Sequence, residues 1–520
     1  MGPHRTSVLH ANLLKRWVDR PTSVEPNRCA VIVGKEETES NIPLPNLTVA
    51  DSSEQDKVHF CEQLQGEDKA RIRQVCENFK SVFDSRPGRT HLIQHRVNTI
   101  TEEPCRQRPY PIPLAMSETV GKDIDAMLEA GLIRKSESCW AAPIVLIKKG
   151  DGTVRMCVDY RRLNSVTVAD PYPMPRIQDI LARLGSASCF SKLDLTKGYY
   201  QIPLHEDAIV KSAFVTPGGH YEFLVMPFGM RNAAATFMRL MDQVLNDVPG
   251  VFAYMDDVLA ATESIADHSR CLVVALERLK DAHLTAKPEK CFIAYPEVEF
   301  LGFLLKGGLV GAQEAKEDLI QAIPVPATKK AVRSFLGLVS FYRNFIPHFS
   351  AIAAPLSDLT KKTKPNTVVW TQECEEAFVA LKNALVNKPV LHTPDMSLPF
   401  VLQTDASDTG LGAVLLQVKD SQRVPVEFRS RKLNAAEARY STVEKECLAI
   451  VWATSIFRQY LLGRHFLIES DHQPLSWLSQ VKDTNRKLLR WSLELQEFDY
   501  EVKYVRGEAN VLADALSRLN

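Results

Sequence analysis

Two adjacent aspartates, Asp256 and Asp257, interrupt an otherwise apolar stretch, VFAYMDDVLA. A third acid, Asp194, ends the apolar run CFSKLDL and is followed directly by Thr-Lys-Gly-Tyr-Tyr. Ionised carboxylates in apolar surroundings are costly unless a cation compensates them. Three carboxylates from two strand ends are able to hold two Mg²⁺ ions about 3.5–4 Å apart, which suits an in-line phosphoryl displacement. Taken alone, the Asp-Asp pair is more often the turn of a surface hairpin, and Asp194 a cap or strand end.

Four further acids lie in separate elements near the C-terminus. Asp405 ends the strand-like VLQTD, and Glu446 lies in the long helical stretch STVEKECLAIVWATSIFRQYL. Asp471 follows the strand-like FLIES, and Asp514 lies in the last helical stretch. Each acid alone is more often a surface carboxylate or a cap. Together at one strand edge they would form a second two-metal cage, in this case for hydrolysis by a metal-activated water.

The elements that position these acids follow from the apolar periodicity. Two amphipathic helices, GEDKARIRQVCENFKSVF and VGKDIDAMLEAGLI, come before the predicted hairpin APIVLIKK–TVRMCVDY. Strand-like and helix-like stretches then alternate to about Leu305, and the segment from Gln313 to Asn387 is predicted to be largely helical. From Pro399 three strands come before an alternating α/β pattern.

The composition describes an ordinary globular chain of 520 residues, with 63 basic and 63 acidic side chains and no formal net charge. Because there is no global basic field, a nucleic-acid partner has to be argued from local sites. One such site is the segment from Gln313 to Lys364, which carries eight Lys/Arg and four acids. No apolar run approaches the ~20 residues that span a bilayer, so no membrane partner is expected. The eleven cysteines are scattered singly, and the N-terminus lacks a secretory pattern, which favours an intracellular location.

A dense and ordered series of motifs reveals a family resemblance. The series contains LEAGLIRKSESCWAAPIVLIKKGDGTVRMCVDYRRLN, PYPMPRI, FSKLDLTKGYYQIPL, FLVMPFGMRNAAATF, YMDDVL, KCFIAYPEVEFLGF and SFLGLVSFYRNFI. It resembles the reverse transcriptase of gypsy-type LTR retrotransposons. The resemblance implies an α+β right-hand polymerase with fingers, palm and thumb or connection, followed by an α/β ribonuclease H-like domain. It also implies RNA-directed and DNA-directed DNA polymerisation with degradation of the RNA strand of the hybrid.

The resemblance also implies roles for individual residues. Asp194, Asp256 and Asp257 would be the metal-binding acids of the polymerase, and Arg155 with either Lys148 or Lys149 would grip the incoming triphosphate. Tyr199 would exclude a ribose 2′-OH, although a plain core aromatic is equally consistent with the pattern. Phe228 in MPFG stands where retroviral enzymes carry a glutamine beneath the template base, so that glutamine's hydrogen bond is not expected here. Leu301 and Gly302 would form the primer grip.

The C-terminal motifs LQTDASDTGLGAVLLQ, YSTVEKECLAIVWA, SDHQPL and ADALSRL resemble ribonuclease H of the same group. Its metal-binding acids would be Asp405, Glu446, Asp471 and Asp514. Glu446 is preferred over Glu444 because it fits the family's helix pattern, and two residues along a helix do not share a face. The loop before the last acid lacks the histidine that many such enzymes carry. The triplet Asp408-Thr409-Gly410 also spells an aspartic-protease motif, but it directly follows the first ribonuclease strand.

Four segments are predicted: a linker or disordered segment over 1–65, fingers and palm over 66–310, a helical thumb or connection over 311–395, and the ribonuclease H-like domain over 396–520. The implied cofactor is Mg²⁺, two per site, with Mn²⁺ as the alternative. The implied partners are an RNA template, a DNA primer, the RNA–DNA hybrid and dNTPs, and the oligomeric state stays open. The chain is expected to be part of a Pol polyprotein in a cytoplasmic retrotransposon particle, with nuclear access left open. A decayed copy that only binds, or an enzyme with nuclease activity alone, are the alternatives.

Overall fold

A computed structural model describes residues 57–148, 154–313, 320–387, 390–470 and 486–505, together with the backbone of a short strand at 32–33. The chain divides into two compact units. The first takes the residues up to Ile180 and Ala187–Leu301, and the second takes Leu181–Ser186 and the chain from Gly302 onward. No helix in these described ranges is both long and apolar enough to cross a bilayer.

Fourteen α-helices lie in the described ranges. They are α1 Gly66–Asn78, α2 Leu114–Glu129, α3 Arg161–Val166, α4 Ile177–Ala182, α5 Glu206–Lys211, α6 Ala233–Leu245, α7 Ile265–Asp281, α8 Lys329–Phe341, α9 Phe349–Ile352, α10 Ala354–Leu359, α11 Gln372–Val386, α12 Thr442–Ile456, α13 Arg458–Leu461 and α14 Arg486–Leu495. Short 3₁₀ helices cover Lys80–Val82, Gly198–Gln201, Pro288–Lys290, Arg343–Phe345 and Glu437–Arg439. The helices predicted from periodicity around α1, α2, α8, α11 and α12 are confirmed.

Twenty strands accompany them. They are β1 Ile32–Val33, β2 His59–Phe60, β3 Ile133–Lys135, β4 Ala142–Lys148, β5 Val154–Val158, β6 Cys189–Asp194, β7 Phe214–Thr216, β8 Gly219–Phe223, β9 Val251–Tyr254, β10 Asp257–Thr262, β11 Phe292–Tyr295, β12 Glu297–Phe300, β13 Phe303–Lys306, β14 Leu309–Ala312, β15 Val390–His392, β16 Phe400–Ala406, β17 Gly410–Lys419, β18 Gln422–Lys432, β19 His465–Ser470 and β20 Asp499–Tyr504. The predicted hairpin is confirmed, since β4 pairs antiparallel with β5 from Ile144↔Val158 to Lys148↔Val154.

The first unit contains two sheets. One has the order β1-β4-β7-β8-β3, with β5 paired to β4, and the other has the order β2-β11-β6-β10-β9. Helices α6 and α7 contribute buried apolar side chains such as Phe237, Leu240, Leu272 and Leu276 to the same core as Val258 of β10. Because this core fixes β6 and β10 from one side, the ends of these two strands are held in a defined position.

The N-terminal linker prediction is wrong at its C-terminal end. Strand β2, at His59–Phe60, pairs in parallel with β11, and Val58 and Cys61 are buried. A two-residue strand carries no periodicity, so the sequence pattern could not reveal it. Residues 302–310 belong to the second compact unit, where β13 and β14 form a hairpin whose second strand pairs with β15. The other segment boundaries stay predictions.

The second unit carries a five-stranded sheet of order β18-β17-β16-β19-β20. The first three strands are antiparallel, and β16, β19 and β20 run parallel. Helix α12 begins at a capping box in which Ser441 and Glu444 satisfy each other's backbone amides. Its apolar residues, among them Ile450 and Phe457, join Leu402 and Ile468 of the sheet in one core.

Three basic side chains in or near helix α8 donate hydrogen bonds to backbone carbonyls of the second unit. The Lys329 ammonium is buried and donates to the Lys361 carbonyl at 2.7 Å. Arg333 donates to the Thr360 carbonyl at 3.1 Å. Arg343 donates to the Ser430 carbonyl on β18, also at 3.1 Å. These three cations therefore hold the second unit together.

Candidate active sites

The three acids of the first constellation are brought together by the pairing of β6 with β10. Asp194, the last residue of β6, is the direct antiparallel partner of Asp257, the first residue of β10. Asp257 also pairs with Tyr254, so Met255 and Asp256 form the two-residue turn between β9 and β10. Met255 has a φ of 53°, as the tight turns of such hairpins require. The alternative of a surface hairpin is correct only in part: a hairpin turn is present, but Asp256 and Asp257 are half-buried, Asp257 already belongs to β10, and the third acid lies beside the turn.

The carboxylates of this cluster destabilise each other's charges. The pKa of Asp256 is raised to about 6, mainly by burial and then by the charges of Asp257 and Asp194. Burial also raises the pKa of Asp194, and Asp257 adds to the effect while Lys290 opposes it. Like charges gathered in a poorly hydrated place favour a compensating cation.

Two lysines contact these carboxylates. The Lys290 ammonium donates to Asp194 Oδ2 at 3.2 Å, and the Lys192 ammonium lies 3.3 Å from Asp257 Oδ1. Sequence reasoning missed both. Lys192 carried a usable signal, because it lies two residues before Asp194 and thus on the same face of β6. Lys290, at the end of a 3₁₀ helix far along the chain, carried none.

The donor set fits a hard divalent cation, because carboxylate oxygens are the ligands that Mg²⁺ prefers. The raised pKa values of Asp194 and Asp256 show that their position favours added positive charge. Within the described ranges, however, no three His, Cys, Asp or Glu side chains are arranged closely enough to hold a metal ion. The metal-binding role of the three acids therefore stays a prediction.

An aromatic cluster adjoins the acids. The Tyr199 ring stacks on Phe228 at 4.9 Å between centroids and lies 5.5 Å from Phe237. The Arg155 guanidinium lies 5.6 Å from the centroid of Phe228. A Cβ on Gly198 would lie 2.9 Å from Phe237 Cζ and 3.1 Å from Asp256 Cβ, so glycine is required there. The structure thus brings Tyr199, Phe228 and Arg155 together beside Asp256.

The structure describes only some of the other residues that were predicted to take part in this site. Lys149 and the side chain of Lys148 lie outside the described residues. Leu301 and Gly302 connect β12 to β13 with φ values of 50° and 87°. The Gly302 carbonyl accepts a hydrogen bond from the Tyr342 hydroxyl at 2.8 Å. Primer contact at these two residues stays a prediction.

Two of the four acids of the second constellation lie within the described residues. Asp405, near the end of β16, is 2% exposed, and Glu446 on α12 is 4% exposed. Helix α12 packs against β16, so these two buried acids lie on neighbouring elements of the same unit. Glu444 is engaged elsewhere, in the capping box and with the Lys487 ammonium at 3.1 Å. Asp471 and Asp514 lie outside the described residues.

Asp408 and Thr409 of the triplet lie in the connection between β16 and β17, and Gly410 begins β17. Asp408 is almost fully exposed and accepts a hydrogen bond from the Lys445 ammonium at 2.6 Å. Lys445 is buried and directly precedes Glu446, a placement that the sequence did not reveal. The triplet is therefore part of a hairpin within the C-terminal sheet, as its position after the first strand predicted.

Two family models match the chain. Residues 147–305 match the reverse transcriptase (RNA-dependent DNA polymerase) model, and residues 395–498 match the RNase H-like domain found in reverse transcriptase. Among solved structures, the foamy viral protease-reverse transcriptase in complex with dsDNA is similar, with a TM-score of 0.78 and 25% identity over 88% of this chain and 96% of that chain. The same viral protein in complex with an RNA/DNA hybrid gives a TM-score of 0.74 and 25% identity, over 88% and 62% of the two chains.

Curated relatives are also similar over most of the chain. The retrovirus-related Pol polyprotein from transposon 297 of Drosophila melanogaster is 41% identical over 439 residues, which is 83% of this chain and 41% of that protein. The corresponding polyprotein from transposon gypsy is 38% identical over 85% of this chain and 44% of its own length. The Tf2-3 polyprotein of Schizosaccharomyces pombe is 36% identical over 79% and 31%. The chain spans less than half the length of these relatives.

A right-hand polymerase fold of mixed α+β type, followed by an RNase H-like domain, is the architecture that the sheets and these matches define. The chain belongs to the reverse transcriptase–RNase H family of retrotransposon Pol polyproteins, in the group of the gypsy-type elements. The family resemblance and the fold class that the sequence indicated are confirmed.

Proposed function

We propose that the chain copies RNA, and then DNA, into DNA by adding deoxynucleotides to a primer 3′-OH, and that it degrades the RNA strand of the resulting hybrid. The observation that carries the proposal is the direct pairing of Asp194 with Asp257 beside Asp256, next to the Tyr199–Phe228–Arg155 cluster. Its similarity to retrovirus-related Pol polyproteins supports it, and so do the dsDNA and the RNA/DNA hybrid bound by its viral neighbour. The proposed partners are therefore an RNA template, a DNA primer, their hybrid and dNTPs.

In the polymerase, Asp194, Asp256 and Asp257 would hold divalent cations, Mg²⁺ or Mn²⁺. When bound, such ions activate the attacking hydroxyl and stabilise the charge that develops on the phosphates. The Arg155 guanidinium, with Lys148 or Lys149, would clamp the triphosphate, because a planar fork of donors matches phosphate oxygens. The stacked rings of Tyr199 and Phe228 would form a rigid wall beside the sugar and the template base.

In the nuclease, Asp405, Glu446, Asp471 and Asp514 would hold the cations that activate water. Asp405 and Glu446 are suited to this because both are held on rigid elements that share one core. The hybrid would be recognised through its backbone shape and 2′-OH groups. We further propose that the protein acts in a cytoplasmic retrotransposon particle, and that the segments 66–310, 311–395 and 396–520 approximate its fingers and palm, its thumb or connection, and its RNase H-like domain.

Primer extension on an RNA template with Mg²⁺ tests the polymerase proposal. Wild type is expected to extend the primer and Asp256→Asn is not, because one ligand is lost while the shape is kept. Equal extension by both proteins, or by neither, would refute the proposal. Asp405→Asn is expected to abolish hybrid cleavage and to leave extension intact, which separates the two sites. Loss of both activities in that variant would contradict independent sites.

A further inference from the structure

A cavity of about 370 Å³ lies in the first unit near the polymerase acids, and its lining residue Tyr200 packs edge-on against Phe228 of the aromatic cluster, 5.4 Å between centroids. It opens between the loop that contains Arg86 and Arg89, the C-terminal end of α2, and Lys197. Its volume is in the range of cavities that hold small ligands. The cavity is separated from the acids by the backbone at 197–198, since Lys197 lines the cavity while Gly198 abuts Asp256.

The charge of the cavity wall is positive. Arg86, Arg89 and Lys197 line it, and Asp84 is the single acid among the lining residues. The Asp84 carboxylate already accepts from the Arg86 guanidinium at 3.0 and 3.3 Å and from the Arg86 backbone amide at 2.8 Å. This ion pair neutralises Asp84, so Arg89 and Lys197 remain as two positive charges on the wall.

Neither of these two cations has an anionic partner within the described parts of the chain. Arg89 and Lys197 make no ion pair or side-chain hydrogen bond there, and Lys197 contacts only the Tyr200 ring, 6.0 Å from its centroid. Lys197 is also held in a left-handed conformation, with a φ of 45°. Burial and the nearby Lys287 lower its pKa, while Asp123 on α2 opposes them. A half-buried ammonium beside other cations favours an anionic ligand.

The wall is rigid before any ligand binds. The Gly88 amide donates to Thr285 Oγ1 at 2.9 Å, and that hydroxyl donates to the Arg86 carbonyl at 2.8 Å. The Thr285 amide in turn donates to the Gln201 side chain at 2.8 Å. Because these bonds fix the loop, little ordering is needed when a ligand meets Arg86 and Arg89.

We propose that this cavity binds a pyrophosphate group, either free or as the tail of a nucleotide. Its cations match the charge of a diphosphate, and Arg guanidinium groups match its oxygen geometry. Ala126, Ala130, Leu132 and Val225 form an apolar wall opposite, which would accommodate a base if one is attached. Binding itself is independent of the proposed polymerisation. That reaction would, however, supply free pyrophosphate directly beside the cavity.

The test is calorimetric titration of the full chain in EDTA, at fixed ionic strength, with sodium pyrophosphate, ATP and adenosine. Pyrophosphate and ATP are expected to bind, and adenosine is not. Equal affinity for the first two assigns the site to the pyrophosphate group alone, whereas clearly tighter binding of ATP assigns it to nucleotides. Absence of pyrophosphate binding would overturn the proposal.

Variants locate the binding. Lys197→Gln and Arg89→Gln are each expected to weaken pyrophosphate binding about tenfold. Ala130→Phe is expected to block this binding by filling the cavity, without changing its charge. Lys122→Gln, on the exposed side of α2, is the matched control and should bind as wild type does. Arg155→Gln should keep the wild-type affinity. If Arg155→Gln loses binding while Lys197→Gln and Ala130→Phe retain it, the anion sits in the polymerase nucleotide site and the proposal is wrong.

Discussion

Replacing Asp256 by asparagine is expected to stabilise the metal-free protein while it removes polymerase activity. The pKa of Asp256 is raised to about 6, from an ordinary value near 4, by burial and by Asp257 and Asp194. Each tenfold change in an acid equilibrium is worth about 1.4 kcal/mol, so keeping this carboxylate ionised at pH 7.5 costs at most about 3 kcal/mol. Asparagine mimics the protonated acid at every pH and avoids this cost.

The sign of the pH dependence follows from the raised pKa. The fold prefers the protonated acid, so its stabilising contribution is complete below pH 4 and is lost as the pH rises through about 6. The gain from Asp256→Asn should therefore be near zero at pH 4 and should reach about 2–3 kcal/mol above pH 7. Calorimetric melting of the full chain in EDTA measures this gain in stability. At pH 7.5 we expect the melting temperature of the first unit to rise by roughly 5 °C.

The control for this measurement is Asp125→Asn, an exposed aspartate on α2, which should leave the melting temperature within about 1 °C at both pH values. Added Mg²⁺ should raise the melting temperature of wild type more than that of Asp256→Asn, because the cation compensates the same repulsion. A variant that is no more stable than wild type at pH 7.5 in EDTA would refute the idea that burial and like-charge repulsion penalise the ionised Asp256 in the folded protein.

Four other substitutions test the two sites and the C-terminal sheet. Gly198→Val should lower primer extension by roughly 10–100-fold and spare hybrid cleavage, because its side chain would displace the turn at Asp256; wild-type extension would contradict this. Glu446→Gln should abolish hybrid cleavage. Glu444→Gln should retain cleavage and nearly all of the stability, because glutamine also serves in a capping box and only the ion pair with Lys487 is lost. The reverse pattern would show that the wrong glutamate was chosen. Arg423→Met should destabilise the C-terminal sheet by about 3 kcal/mol, because the fully buried Glu469 loses two hydrogen bonds of 2.6 and 2.7 Å. Chemical denaturation measures this loss, and an unchanged midpoint would show that the charge of Glu469 is compensated elsewhere.

Much of the fold was predictable because local patterns are strong where one face is buried. The β4–β5 hairpin and the three antiparallel strands β16–β18 alternate clearly, and the amphipathic helices α1 and α8 show clear stripes of apolar residues. The register that pairs Asp194 with Asp257 was not predictable from spacing, since it depends on contacts between segments 60 residues apart. Motif order supplied the expectation that these acids meet, and the sheet supplied the geometry.

The parts that the sequence did not reveal depend on tertiary contacts alone. Strand β2 has only two residues and gains its place by pairing with β11, more than 200 residues later. Lys290 reaches Asp194 from a 3₁₀ helix whose position no periodicity records. The cavity beside Lys197 is built from five separate stretches of the chain, none of which carries a phosphate-binding motif.

The cations around helix α8 affect how strongly nucleic-acid binding, as proposed for this protein, should depend on salt concentration. Binding weakens with salt in proportion to the number of phosphates that protein cations neutralise. Lys329 is buried and donates to a backbone carbonyl of its own unit, so its charge is withdrawn from a duplex, whereas Arg333 and Arg343 donate to carbonyls but stay exposed. A count of basic residues in this stretch therefore overstates the expected salt sensitivity, and the logarithm of the binding constant should fall less steeply with the logarithm of salt concentration than that count implies.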